Sequence, residues 1–385
     1  MILLFELLCK IQNNRFRFKM NESLKYKIAL SLLPNIGDIL AKRLIAYCGS
    51  AEAIFMEKKI LLEKIPGIGT ITAKEIHNHT VFERAEEEIQ FIEKNSIRPI
   101  FYLDSEYPKR LTHCEDSPIL LYFKGNTNLN AEKMISIVGT REATDYGKRI
   151  CENLISDLAQ HNVTIVSGLA YGIDICAHKA ALDNNLPTIC TLAHGLDKIY
   201  PAIHKSIANK MLENGGWLTD FTSHTIPDRE NFPRRNRIVA GITDATIVIE
   251  SKIKGGSLIT AEIANSYNRD IFAYPGRVDD ICSEGCNAII KDNKATLIQS
   301  AADLIYAMGW QPQSNRKSPQ QKKLFIELNL MEESLVNLIR QKESITIDDL
   351  CLISKMPMSK VSATLLTLEF SGVVKSLPGK IYRMN

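Results

Sequence analysis

From Met134 onward the chain alternates two textures, and this alternation constrains its fold more than any other feature. Short β-branched runs recur at Ile135–Val138, Val163–Val166, Thr188–Leu192, Trp217–Asp220, Ala245–Ile249 and Asp270–Tyr274. Stretches of helical length, such as Tyr146–His161 and Asp174–Asn184, lie between them. Parallel strands need long crossover connections, and helices are the usual ones, so the pattern predicts an α/β class with a mostly parallel sheet covered on both faces.

The flanks read differently. Near the N-terminus, Leu33-Pro34-Asn35-Ile36-Gly37 and Ile65-Pro66-Gly67-Ile68-Gly69 repeat at an offset of 32 residues, and Ala41-Lys42 and Ala73-Lys74 keep that offset. Each repeat reads helix, tight turn, helix, the order of a helix-hairpin-helix (SAM-like) module. In such a module the turn amides can hold a phosphate or simply turn the chain. At the other end, Trp310–Lys323 carries two prolines and four basic residues and no acid, as a linker does. Beyond it, helical patterns at Glu332–Gln341, Thr346–Ser354 and Pro357–Ser371 precede a hairpin at Gly372–Arg383, the order of a winged helix.

A length of 385 residues suggests two or three domains. Lys and Arg total 47 against 44 Asp and Glu, a net charge of only +3, so anion binding must come from local clusters. Nine cysteines include one close pair, Cys282 and Cys286, which excludes a disulfide framework or paired CxxC zinc site and predicts reduced thiols in the cytoplasm. The apolar start, Met1–Cys9, is interrupted by Glu6 and is too short to span a membrane. Met20 followed by Asn-Glu-Ser-Leu reads as a helix start, with residues 1–19 as an upstream extension outside the native protein.

In a parallel sheet the strand C-termini share one rim, where open α/β sheets bind ligands. The loops expected there are Gly139-Thr140-Arg141, Ser167-Gly168-Leu-Ala-Tyr171-Gly172, His194-Gly195-Leu-Asp197, Glu250–Ser257 and Pro275-Gly276-Arg277. Glycines let backbone amides approach a ligand, and helix N-termini favour anions, so a phosphate-bearing ligand is expected. The segment Asp228–Arg237 holds Arg229, Arg234, Arg235 and Arg237 with Phe232 and Asn236 interleaved. Guanidinium groups fork onto phosphates and the ring offers a stacking face, which points to nucleic acid. No G-x-G-x-x-G follows the first strand, and no Walker loop, G-x-S-x-G elbow or HExxH motif is present. His178 and His194 read as structural or loop polar residues.

These stretches resemble the DNA-processing protein A (DprA/Smf) family. The resemblance rests on Ile137-Val-Gly-Thr-Arg141, Ser167-Gly-Leu-Ala-Tyr-Gly-Ile-Asp174 with Ala177-His178, Gly195-Leu-Asp-Lys-Ile-Tyr-Pro201, Phe232-Pro-Arg-Arg-Asn-Arg-Ile-Val-Ala-Gly241, Gly256-Ser-Leu-Ile-Thr-Ala261 and Ala273-Tyr-Pro-Gly276. Tyr171 departs from the family's usual arginine, and His194 from its usual Gly or Thr. The resemblance implies an extended Rossmann-like sheet at 101–309, after a helical domain at 20–100, with a linker at 310–323 and a winged helix at 324–385. It implies a non-enzymatic homodimer; the residues themselves call for no metal or cofactor and no membrane insertion. Such a protein binds incoming single-stranded DNA, cooperates with single-strand-binding protein and helps load RecA recombinase during natural transformation. Carried over by position, the DNA pocket is Gly139, Arg141, Ser167, Gly168, Phe232, Arg235, Asn236, Arg237 and the Gly255-Gly256-Ser257 turn. Arg234 of the same arginine cluster, the added charge of Lys252 and Lys254, and Tyr171 as a stacking face in place of the arginine complete the expected site.

Two other readings compete. Gly255-Gly256-Ser257-Leu-Ile-Thr-Ala-Glu262 is superficially close to the P-G-G-x-G-T-x-x-E loop of LOG-type nucleotide phosphoribohydrolases, but lacks the glycine before the threonine. A transcription regulator would need its recognition helix to read bases. Pro357–Ser371 offers Ser359, Lys360, Ser362, Thr364 and Thr367, with no Arg, Asn or Gln to fork onto a base edge. Sequence-neutral single-strand binding is the better fit.

Overall fold

The computed structural model describes residues 22–311, 328–377 and 379–385. The extension expected at 1–19 and residues 312–323 of the expected linker lie outside the described residues. Two compact units divide the chain, one comprising the segment up to Asn130 with Pro187–Val239, the other Ala131–Leu186 with Ala240–Asn385.

The first unit joins the N-terminal helices to four strands. Its helices are α1 (22–32), α2 (Asp38–Cys48), α3 (Ala51–Met56), α4 (Lys59–Leu62), α5 (Thr70–His77), α6 (Val81–Lys94) and α7 (Lys109–Thr112). Strands β1 (Arg98–Phe101), β2 (Leu120–Gly125), β5 (Thr188–Thr191) and β6 (Gly215–Thr219) lie in the order β1-β2-β6-β5, with α10 (Lys205–Met211) between the last two in sequence. β1 and β6 both run antiparallel to β2, whereas β5 and β6 are parallel. Helix α11 (Asn231–Gly241) belongs to this unit up to Val239.

The second unit carries β4 (Thr164–Ser167), β3 (Met134–Val138), β7 (Ala245–Val248), β8 (Asp270–Ala273) and β9 (Thr296–Leu297) in that spatial order. The pairings of β3 with β4 and β7, of β7 with β8 and of β8 with β9 are parallel. Helices α8 (Asp145–Leu158), α9 (Ile173–Asp183), α12 (Gly256–Ser266), α13 (Glu284–Lys291) and α14 (Ala301–Ala307) connect and cover them. The six strands expected from the sequence are present, so the mostly parallel α/β class holds. β1, β2 and β9 are additions.

α8 shows how the packing is written locally. Thr144 caps it, accepting the Gly147 amide at 3.1 Å, and Cys151, Leu154, Ile155 and Leu158 recur at helical spacing to form one buried face. They pack with Ile135, Ile137 and Ile165 of the strands, and each fully buried aliphatic side chain contributes about 1.5–3 kcal/mol. Gly172 caps α9 at φ +76°, and a Cβ there would stand 2.1 Å from the Thr140 carbonyl oxygen, so only glycine fits.

The C-terminal module is α15 (Leu330–Lys342), β10 (Ser344–Thr346), α16 (Ile347–Ser354), α17 (Met358–Phe370), β11 (Val374–Leu377) and β12 (Ile381–Met384), with sheet order β10-β12-β11. A capping box of Asn329 and Glu332 starts α15, and Leu335, Ile339, Leu350, Val361, Leu365 and Leu368 form the module's core. This is a winged helix, and it sits in the second unit. There Arg269 Nη1 meets Asp348 Oδ2 at 2.6 Å and Lys380 Nζ stands 3.9 Å from Asp270 Oδ1.

Candidate nucleic-acid interface

In the second unit the loops after the strands are organised by two acids that the sequence reading did not select. Glu250, just after β7, is fully buried. Its carboxylate accepts the Thr144 amide at 3.0 Å and the Thr144 hydroxyl, directly beneath the first turn of α8. A negative group is favoured at a helix N-terminus, and here the chain supplies its own. The position where a nucleotide phosphate would rest after the first strand of such a fold is therefore filled by a side chain. Thr140 N donates to the Glu250 carbonyl at 2.8 Å and fixes the Gly139–Arg141 turn above it.

Asp174 plays the same part after β4. Its Oδ2 accepts the amides of Gly168 at 3.1 Å and Ala170 at 3.3 Å, and the buried Ser167 hydroxyl donates to the Ile137 carbonyl at 2.6 Å. Gly139, Ser167 and Gly168 thus shape the turn, while Arg141 and the half-exposed ring of Tyr171 stand at its surface.

The loop after β7 is open by contrast. α12 begins at Gly256 with no acid in its first turn, and Ser257 Oγ donates to Ser251 Oγ at 2.8 Å. Lys254 is exposed beside it. Lys252 Nζ reaches Glu142 Oε2 at 2.5 Å, and this hydrogen bond with its charge raises the lysine's pKa and lowers the carboxyl's. Glu262 lies exposed six residues beyond Gly256, roughly 9 Å along the helix axis, so it does not share the loop with the Gly255–Ser257 amides.

In the first unit, α11 sorts its arginines by helical phase. Arg234 is exposed, its guanidinium 5.3 Å over the Phe221 ring, a cation–π arrangement. Phe232, one turn or less away, lies 6.3 Å from the Tyr200 ring at a 54° tilt. Arg235 turns inward: it is 4% exposed and donates from Nη1 to the Thr191 carbonyl, at the end of β5, at 2.7 Å. Arg237 donates from Nη2 to Asp38 Oδ2 and Asp220 Oδ2, both at 2.8 Å, and from Nη1 to the Asp116 carbonyl. Burial opposes its charge, but Asp220 and Asp38 hold its pKa above the ordinary arginine value. Asn236 is half-buried between the two.

His194 is buried. Its Nδ1 donates to the Gly195 carbonyl at 2.8 Å and its Nε2 accepts the Tyr200 amide at 3.2 Å, the tautomer this network requires. Burial lowers its pKa, so it is a neutral loop organiser. In the N-terminal repeats, the first helix after the turn opens with Asp38, whereas α5 opens with Thr70 and no acid. Arg43 donates to the Pro66 carbonyl at 2.7 Å and covers the second turn at Gly67. The contacts of Asp38, Asp220, Asp174 and Glu250 were not legible as partners. The one sequence signal was that Asp38 replaces the Thr70 of the repeat.

Among the described residues no group of three or more His, Cys, Asp or Glu side chains is arranged to hold a metal ion, and no helix is long and apolar enough to cross a membrane.

An open α/β sheet with an arginine- and aromatic-bearing helix and an appended winged helix defines a class of α/β winged-helix protein. Its similarity to known proteins is more specific. Residues 98–309 match the family model described as DNA recombination-mediator protein A, and residues 326–380 match the DprA winged helix domain. The chain belongs to the DNA recombination-mediator protein A (DprA/Smf) family. Protein Smf of Synechocystis is 31% identical over 401 residues, covering 94% of this chain and 99% of that protein. The X-ray structure of DNA processing protein A from Streptococcus pneumoniae has a TM-score of 0.63 and 32% identity, covering 73% of this chain and 95% of that one. A structure of the Helicobacter pylori protein, described for its single-stranded DNA binding mode, has a TM-score of 0.50 and 30% identity, covering 54% of this chain and 94% of that one.

Proposed function

We propose that this protein binds single-stranded DNA without sequence preference in the bacterial cytoplasm during transformation. As a homodimer, and in company with single-strand-binding protein, it protects the strand and helps load RecA recombinase onto it, without catalysing a reaction. The observation that carries this reading is the start of α11. There an exposed guanidinium, Arg234, lies on the Phe221 ring, and the same turn of helix carries Phe232 beside the Tyr200 ring, with no acid in the helix's first turn. A cation for the phosphate and rings for the bases are the two contact types that unspecific single-strand binding needs.

The second unit offers a matching set in Arg141, Tyr171, Lys252, Lys254 and the Gly255-Gly256-Ser257 turn. Gly139, Ser167 and Gly168 hold their loops in shape, and Arg235 and Arg237 support α11 from within. The Helicobacter pylori relative supports the reading through its described single-stranded DNA binding mode. The face of α17 supports it too, because Ser359, Lys360 and Thr367 lack the forked donors and acceptors that read base edges.

A competition experiment tests the proposal. A labelled dT oligomer bound to the protein is challenged with unlabelled single strands of mixed sequence and with duplex. Displacement by any single strand and far weaker displacement by duplex is the expected result. Equal displacement by duplex refutes it. Incubation with AMP is expected to release no adenine, and release would move the assignment to a nucleotide hydrolase.

A further inference from the structure

Arg237 stands on the helix that carries Arg234 and Phe232, yet its guanidinium faces two carboxylates and a carbonyl. Its side chain is 12% exposed, that of Asp220 4% and that of Asp38 17%. A phosphate reaching this arginine would have to displace a carboxylate that already holds it at 2.8 Å. Asp38 is the first residue of α2, in the N-terminal repeat, and its second oxygen is also engaged, accepting the Ile119 amide at 2.8 Å. Four residues on, Lys42 donates to Ser117 Oγ at 2.7 Å and the Glu115 carbonyl at 2.9 Å. One face of α2 is thereby fastened both to the 114–119 segment and to α11. Arg234 and Arg237 together line a cleft of about 610 Å³ whose opposite wall is the first hairpin, Asn35 to Leu40.

Residues three apart lie on neighbouring positions of a helix surface. Fixing Arg237 therefore fixes the rotation of α11 and the direction in which Arg234 projects. We infer that Asp38 is a positioning residue for single-stranded DNA binding. Through Arg237 the N-terminal module sets the orientation of α11, and Arg237 itself makes no phosphate contact. This inference rests on the proposed function and deepens it by giving the N-terminal repeat a task in DNA binding.

The test turns on a sign. Removing a negative charge near an anion site tightens anion binding when only long-range electrostatics act. Positioning predicts the reverse for Asp38→Asn: binding of a dT oligomer weakened about five-fold, as fits the replacement of a charge-assisted hydrogen bond that orients the site by a weaker neutral one. The slope of log K against log salt stays unchanged, since the number of phosphates neutralised is the same. Asp38→Glu, which keeps the charge, restores most of the affinity. Arg237→Lys keeps a charge but loses the planar fork that spans both acids, and it too weakens binding without changing the slope. A loss of fold stability alone would lower the melting temperature and leave the affinity of the folded protein as it was.

Tighter binding and a steeper slope in Asp38→Asn would mean that Asp38 masks a phosphate-binding arginine, and would overturn the inference. Unchanged affinity in both variants, with Arg234→Ala weakened, would overturn it while leaving the DNA site intact. If Arg234→Ala also binds as wild type does, the proposed site falls and the inference with it.

Discussion

Gly147→Ala sets two effects of opposite sign against each other at one position. Gly147 lies in the first turn of α8, where alanine is favoured over glycine by roughly 0.8–1 kcal/mol of helix propensity. Against this, a Cβ at 147 would stand 2.2 Å from Glu250 Oε2 and 2.3 Å from its Cδ. Glu250 has no room to yield, being fully buried with its oxygens committed to the Thr144 amide and hydroxyl. Overpacking of this kind costs about 1–3 kcal/mol, and each hydrogen bond to a charged group that is pulled out of line costs roughly 1.5–3 kcal/mol. Packing wins, with a net loss of about 2–4 kcal/mol. At roughly 2–4 °C per kcal/mol for a unit of this size, the melting temperature falls by about 4–16 °C. Thermal unfolding followed by circular dichroism reads this directly. Glu250→Ala in the same chain removes the clash, so the double variant loses less than the two single losses combined. A melting temperature that is unchanged or raised in Gly147→Ala would refute the claim that a fixed carboxylate closes the N-terminus of α8.

Further predictions concern separate elements. Phe232→Ala is expected to weaken oligo-dT binding by about 1–3 kcal/mol, the worth of one stacked base, measured by anisotropy at fixed salt. His194→Gln addresses pH. Burial lowers the histidine's folded pKa, so the unfolded chain takes up its proton first and wild-type stability falls as pH drops below the unfolded value near 6.5; urea titrations across pH should show a flatter profile in the variant. Arg269→Ala leaves Asp348 without its 2.6 Å partner and should cost up to roughly 3 kcal/mol, seen as faster amide exchange in α16 than in β3.

The sheet was legible because its strands are buried on both faces, and so read as short β-branched runs such as Ile135–Val138 and Ala245–Ile249. β1 escaped because Arg98-Pro-Ile-Phe is only four residues long, opens on an arginine and contains a proline, as suits an edge strand, and β2 because a short apolar run such as Leu120-Leu-Tyr-Phe suits helix and strand alike. At the candidate site the sequence located the arginine cluster but not its sorting. Which arginine faces outward depends on helical phase and on acids far away in the chain, and Asp38 is 199 residues from Arg237. The glycine-rich loops were read as open amides, whereas Asp174 and Glu250 fill two of them from within. Those acids are ordinary in sequence and acquire their role only when the fold brings them beneath the turns.

The central claim is that the exposed face of α11 binds single-stranded DNA, and Arg234 tests it most directly. Binding of a labelled dT oligomer and a matched duplex is measured across salt for wild type and Arg234→Ala. The account predicts preference for the single strand, weaker binding in the variant, and a log–log salt slope shallower by roughly 0.7, the value for one phosphate left unneutralised. Equal affinity and equal slope in the two proteins would contradict it.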